Sequence, residues 1–91
     1  MAAEISIEKV KDGEFRVRIK EGRSESRHRV TLSEAEYQRL SGGKIDAGEL
    51  IRRSFEFLLT REPKESILSE FDLPLIGRYF PEYERELKRK I

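Results

Sequence analysis

The sequence predicts one α+β domain: a three-stranded antiparallel meander, order 1-2-3, packed on one face by a central helix and followed by short C-terminal helices. Two observations carry this reading. Apolar residues alternate with polar ones as far as Leu32 and recur at helical spacing beyond it. Pro63, Pro74 and Pro81 then cut the last third into short helical pieces. A chain of 91 residues has room for a single domain, with strands over about 4–32 and helices over about 33–91.

The first strand holds Ile5 and Ile7 between Glu4, Ser6 and Glu8; the second holds Phe15, Val17 and Ile19 between Arg16, Arg18 and Lys20. A three-residue loop, Lys11-Asp12-Gly13, pairs Ile7 with Val17, Ile5 with Ile19, Glu8 with Arg16 and Glu4 with Lys20. A two-residue Asp12-Gly13 loop would set Ile7 against Arg18 and mix the faces, so the longer loop is preferred. The third strand covers about Ser26 to Leu32, with His28, Val30 and Leu32 inward and Arg27, Arg29 and Thr31 outward. Gly22-Arg23-Ser24 supplies its turn.

Ser33 and Glu36 form a capping box for a helix to about Leu40, which Ser41-Gly42-Gly43 stops. Asp46 caps a second helix from Ala47 to about Arg61. Its Leu50, Ile51, Phe55, Phe57, Leu58 and Leu59 make an apolar face wider than a surface stripe, which marks the central buried helix. A short helix through Ile67, Leu68 and Phe71 is expected next. Asp72 is read as the cap of another, with Pro74 in its first turn. Pro81 opens a last one through Tyr83 and Leu87.

Composition narrows the function classes. The 19 basic and 18 acidic side chains nearly cancel, and with five Phe and three Tyr the high charge reads as a folded domain's surface rather than disorder. There is no Cys, hence no disulfide framework, thiolate metal site or cysteine nucleophile. No apolar run resembles a signal peptide or a membrane span, so a cytoplasmic protein is expected. His28 is the single histidine and has no partner arrangement for catalysis. The carboxylates are unclustered, and no metal or cofactor is expected. Ser41-Gly42-Gly43-Lys44 lacks the longer spacing, the hydroxyl residue after Lys44 and the preceding strand of a phosphate-binding loop.

Two surfaces remain as candidates. The outer sheet face carries Arg16, Arg18, Lys20, Arg27 and Arg29, and the expected register sets Arg18 against Arg29 and Lys20 against Arg27. Like charges directly opposite are destabilising, so the face is either a polyanion site or a solvated surface relieved by Glu14, Glu21 and Glu25. The face has no aromatic residue on which bases would stack. The second candidate is the run Leu73, Leu75, Ile76, Tyr79, Phe80 and Tyr83. It either packs the short helices or leaves a partner surface at Tyr79, Phe80 and Tyr83.

The stretch Arg53-Ser-Phe-Glu-Phe-Leu-Leu-Thr-Arg-Glu-Pro-Lys-Glu-Ser-Ile-Leu68, with Phe71-Asp72-Leu73 and Arg78-Tyr79-Phe80-Pro81, resembles a group of small uncharacterised bacterial proteins. The resemblance covers the C-terminal half and implies a bacterial source. It transfers no activity and no site residue. Its polar members Arg61, Glu62, Lys64 and Glu65 are further candidates for docking a partner. The expected function is a non-enzymatic binding module for a protein or a nucleic acid; the alternative is an enzyme with a site shared between chains.

Overall fold

A computed structural model describes residues 3–90 of the chain. The first three strands, β1 (Glu4–Lys11), β2 (Glu14–Glu21) and β3 (Ser24–Thr31), form the expected antiparallel meander. Ile5 faces Ile19 and Ile7 faces Val17, as the alternation requires. The route to that register differs from expectation. Lys11 pairs with Glu14, so the turn is the two-residue Asp12-Gly13, and a register shift between Lys9 and Lys11 restores the faces. Gly13 sits at φ 80°, and its carbonyl accepts from the Leu32 N–H at 2.8 Å. A Cβ there would stand 3.3 Å from the Leu32 carbonyl oxygen. A bulge adds one residue to one strand, which is why counting loop residues alone gave the wrong turn.

A second correction concerns the sheet itself. It has four strands, in the order β1-β2-β3-β4, and β4 (Glu70–Asp72) runs parallel to β3. The expected helix through Ile67, Leu68 and Phe71 is absent. A single 3₁₀ turn, Lys64–Ser66, follows Pro63, and the chain then extends. The Ser69 carbonyl accepts from the Arg29 N–H at 2.7 Å, which draws the segment onto the edge of β3. Three residues are too few to display an alternation, and the β3 edge that recruits them lies some forty residues back. Asp72 does stand at the N-cap position of a 3₁₀ turn, Leu73–Leu75, with Pro74 inside it, but its side chain makes no capping bond; its carboxylate instead accepts from the Thr31 hydroxyl at 2.7 Å.

The helices are α1 (Glu34–Ser41), α2 (Ala47–Leu59), α3 (Ile76–Tyr79) and α4 (Tyr83–Arg89). Ser33 and Asp46 cap α1 and α2 as their spacing predicts, accepting from the N–H groups of Glu36 and Glu49. Gly42 ends α1 in the left-handed conformation, φ 64°, and returns its N–H to the Gln38 carbonyl. A 3₁₀ turn, Leu73–Leu75, leads into α3, and Pro81-Glu82 form the turn before α4 rather than its first residues.

α2 is the central helix. Leu50, Ile51, Phe55 and Leu58 are buried with Val17, Ile19 and Val30 of the sheet, and the same core takes in Leu73, Ile76, Tyr83 and Leu87. Ser54, a hydroxyl in the middle of that face, donates to the Leu50 carbonyl and so enters the core satisfied. Among the described residues no helix is long and apolar enough to cross a membrane.

Candidate functional site

The outer sheet face is built from alternate residues of the four strands. The observed register sets Arg16 opposite Arg29 and Arg18 opposite Arg27, while Lys20 lies opposite Glu25. The expected pairing was displaced by two residues. The turn is Gly22-Arg23 alone, with Glu21 opposite Ser24, so β3 starts earlier than its apolar residues suggest. Two cation-on-cation pairs persist, but each has carboxylates at hand. Arg16 meets Glu8 at 3.2 Å and Arg27 meets Glu25 at 2.9 Å. Arg29 lies between Glu14 at 3.4 Å and Glu70 at 2.9 Å.

Glu70 and Asp72 arrive with β4 at positions opposite Arg29 and Thr31. Counting Glu4, Glu8, Glu14 and Glu25 with them, carboxylates match or exceed the five cations expected on this face. Among the described residues, only Arg18 and Lys20 of the five form no ion pair. Arg16, Arg18, Arg27 and Arg29 stand together in the middle of the face, with carboxylates of all four strands around them, so the basic cluster is relieved at its rim.

His28 points inward and is buried. Its Nδ1 lies 2.7 Å from the Leu68 carbonyl oxygen and its Nε2 2.8 Å from the Ser26 hydroxyl. The ring packs 5.5 Å from that of Phe55. Burial lowers its pKa, outweighing the opposite pull of the Leu68 carbonyl. It joins β3 to the segment that precedes β4.

That segment forms one wall of an apolar groove of about 350 Å³. Leu58 and Glu62 come from the end of α2 and the residues just past it. Ser66, Ile67 and Leu68 come from the approach to β4, and Phe71 from β4 itself. Leu75, Ile76, Tyr79 and Phe80 close the other side. Two of its lining residues are large, apolar and exposed: Tyr79 at 65% and Leu68 at 46%. A groove of this kind resembles the apolar centre of a protein interface more than a metabolite pocket, which has several convergent polar groups. Here the polar groups of the lining are one carboxylate, of Glu62, and two hydroxyls, of Ser66 and Tyr79.

No family model matches this chain, and neither a curated protein nor a solved structure matches it. The groove is therefore judged on its own chemistry.

The structure divides the residues singled out in the sequence. Tyr79 and Phe80 line the groove, but Tyr83 does not reach the surface. It is 0% exposed, its hydroxyl lies 2.7 Å from that of Ser54, and burial pushes its pKa up to about 12. Phe80 is half-buried and set edge-on to Phe57, at 5.9 Å between ring centres. Of the four polar candidates, Arg61 lies over the Phe57 ring at 3.7 Å and pairs with Glu82 at 3.0 Å. Lys64 is buried, pairing with Glu65 and with Glu21 at 3.6 Å. Its neighbour Glu65 raises the Lys64 pKa, and Lys64 in turn lowers that of Glu65. Glu62 alone turns to the groove. Leu68 was missed as a surface residue because it was assigned to a helix that does not form.

Proposed function

We propose that this domain is a non-enzymatic interaction module that holds an apolar segment of a protein partner in the groove between Leu68 and Tyr79. The observation that carries this reading is the exposure of those two side chains on opposite sides of one apolar depression. Solvent-exposed large apolar groups gathered at one place mark interaction surfaces, whereas single scattered ones do not. A cavity of roughly 150 Å³ admits one benzene ring, so a groove of about 350 Å³ has room for about two ring-sized groups of a partner. The charge balance of the outer sheet face favours a protein over a nucleic acid, since a phosphate backbone is held by cations free of carboxylate partners.

The test is selection of displayed random peptides on the wild-type protein, with counter-selection on Leu68→Asp and Tyr79→Asp. Both positions are exposed, so the variants should keep the wild-type melting temperature. Enrichment of peptides with large apolar anchors that bind the wild type and neither variant supports the proposal. Enrichment of nothing over the variants overturns it. Saturable, groove-dependent binding of a small apolar molecule in place of peptides would shift the reading to a ligand site, as in an enzyme.

A further inference from the structure

The apolar groove contains one charged group. Glu62 follows α2 by three residues and is held there by its own N–H, which donates to the Leu58 carbonyl at 2.9 Å. Glu62 is half-buried and is one of the residues lining the groove. The basic residues nearest to it in sequence are both engaged elsewhere. Arg61 is folded back over Phe57 and paired with Glu82, and Lys64 is paired with Glu65 and Glu21. Among the described residues, no Lys or Arg forms an ion pair with Glu62. A carboxylate beside apolar side chains, at the mouth of a groove, is partly shielded from water. Its interaction with an incoming cation is correspondingly stronger than at an open surface.

We infer that the segment bound in this groove carries a Lys or Arg adjacent to its apolar anchor, and that the Glu62 carboxylate receives that cation. This rests on the reading of the groove as a peptide-docking site and adds the chemistry of the partner. The anchor supplies affinity by burying apolar area against Leu68, Phe71 and Tyr79. The cation fixes where in the groove the segment sits, because Glu62 is the single charged residue of the lining. A partner with an acidic residue at that position would set two carboxylates together and be rejected.

The experiment uses peptides enriched on the wild-type domain. Each is synthesised as selected, with its anchor-flanking cation replaced by Gln, and with that cation replaced by Glu. Dissociation constants are measured by fluorescence anisotropy for the wild type, Glu62→Gln and Glu62→Lys, after melting curves confirm that all three are folded. Enriched peptides are expected to share a Lys or Arg next to the anchor. Its replacement by Gln should weaken wild-type binding about tenfold, the typical worth of a hydrogen bond to a charged group. Glu62→Gln should erase that difference, Glu62→Lys should prefer the Glu peptide, and added salt should shrink the wild-type preference. Peptides that bind the groove with no cation preference, or a preference that survives in Glu62→Gln, overturn the inference and leave the docking proposal standing. Failure to enrich any peptide overturns both.

Discussion

Ser54 of α2 and Tyr83 of α4 meet through their hydroxyls at 2.7 Å, and neither side chain is exposed. The pair ties the last helix to the central one. Ser54 also donates to the Leu50 carbonyl, so in this arrangement the Tyr83 hydroxyl is the donor to Ser54. The two residues therefore differ in what their loss leaves behind. Tyr83→Phe leaves Ser54 with its Leu50 partner and should cost about 1 kcal/mol. Ser54→Ala leaves the Tyr83 hydroxyl buried without an acceptor and should cost about 1–3 kcal/mol. Urea unfolding of both variants checks the order; equal, negligible losses would contradict the buried pair.

The same burial governs alkaline behaviour. The Tyr83 pKa stands at about 12 against an ordinary 10.0, with desolvation the main cause. A raised folded-state pKa favours the protonated form on folding. Its stabilising contribution is full below pH 10.0 and is lost as pH rises toward about 12. Absorbance titration should show a tyrosine ionisation near about pH 12, and Tyr83→Phe should remove it.

His28 gives the matching expectation on the acid side. Its pKa is lowered from 6.5 by burial, so the folded state favours the neutral ring. The contribution is present above pH 6.5 and declines as pH falls through the lowered folded value. His28→Gln should flatten the acid limb of the stability curve between pH 7 and about 5, the range in which an ordinary histidine protonates. An unchanged acid limb in the variant would assign that limb to carboxylates instead.

On the outer sheet face, six carboxylates make removal of the cations destabilising. Arg16/Arg18/Arg29→Glu would place new acids beside Glu8, Glu14 and Glu70, which now pair with Arg16 and Arg29. Exposed pairs are worth up to about 1 kcal/mol each, so the triple variant should lower stability by about 1–3 kcal/mol, with a smaller loss at high salt. Wild-type protein should bind duplex DNA, single-stranded RNA and heparin weakly and without distinction at low salt. Submicromolar binding to one of them, lost in the triple variant, would restore the polyanion reading.

The core of α2 offers the direct check on the fold. Phe55 is fully buried, with its ring 5.9 Å from that of Phe71 on β4 and 5.5 Å from His28 on β3. Phe55→Ala should cost about 3–5 kcal/mol. Wild-type melting in that variant would contradict the central placement of α2.

The division between what the residues alone determined and what the fold decided follows the range of the forces. Alternation from Ile5 to Ile19 specified β1, β2 and their shared faces, because a strand's side chains reverse with every residue. Ser33, Asp46 and Gly42 specified the helix ends, because caps act within four residues. The apolar width of the Ala47–Leu59 segment specified that it would be central. β4 was not legible, since Glu70-Phe71-Asp72 become a strand only against the edge of Arg29-Val30-Thr31, more than forty positions away in the chain. With β4 came the carboxylates that balance the outer face, and with the loss of the expected helix came the exposure of Leu68. Tyr83 and Tyr79 read alike in the sequence, two tyrosines in one apolar run. Only the tertiary structure separates them, because the position of Ser54 on the facing helix gives one hydroxyl a buried partner and leaves the other ring at the lip of the groove.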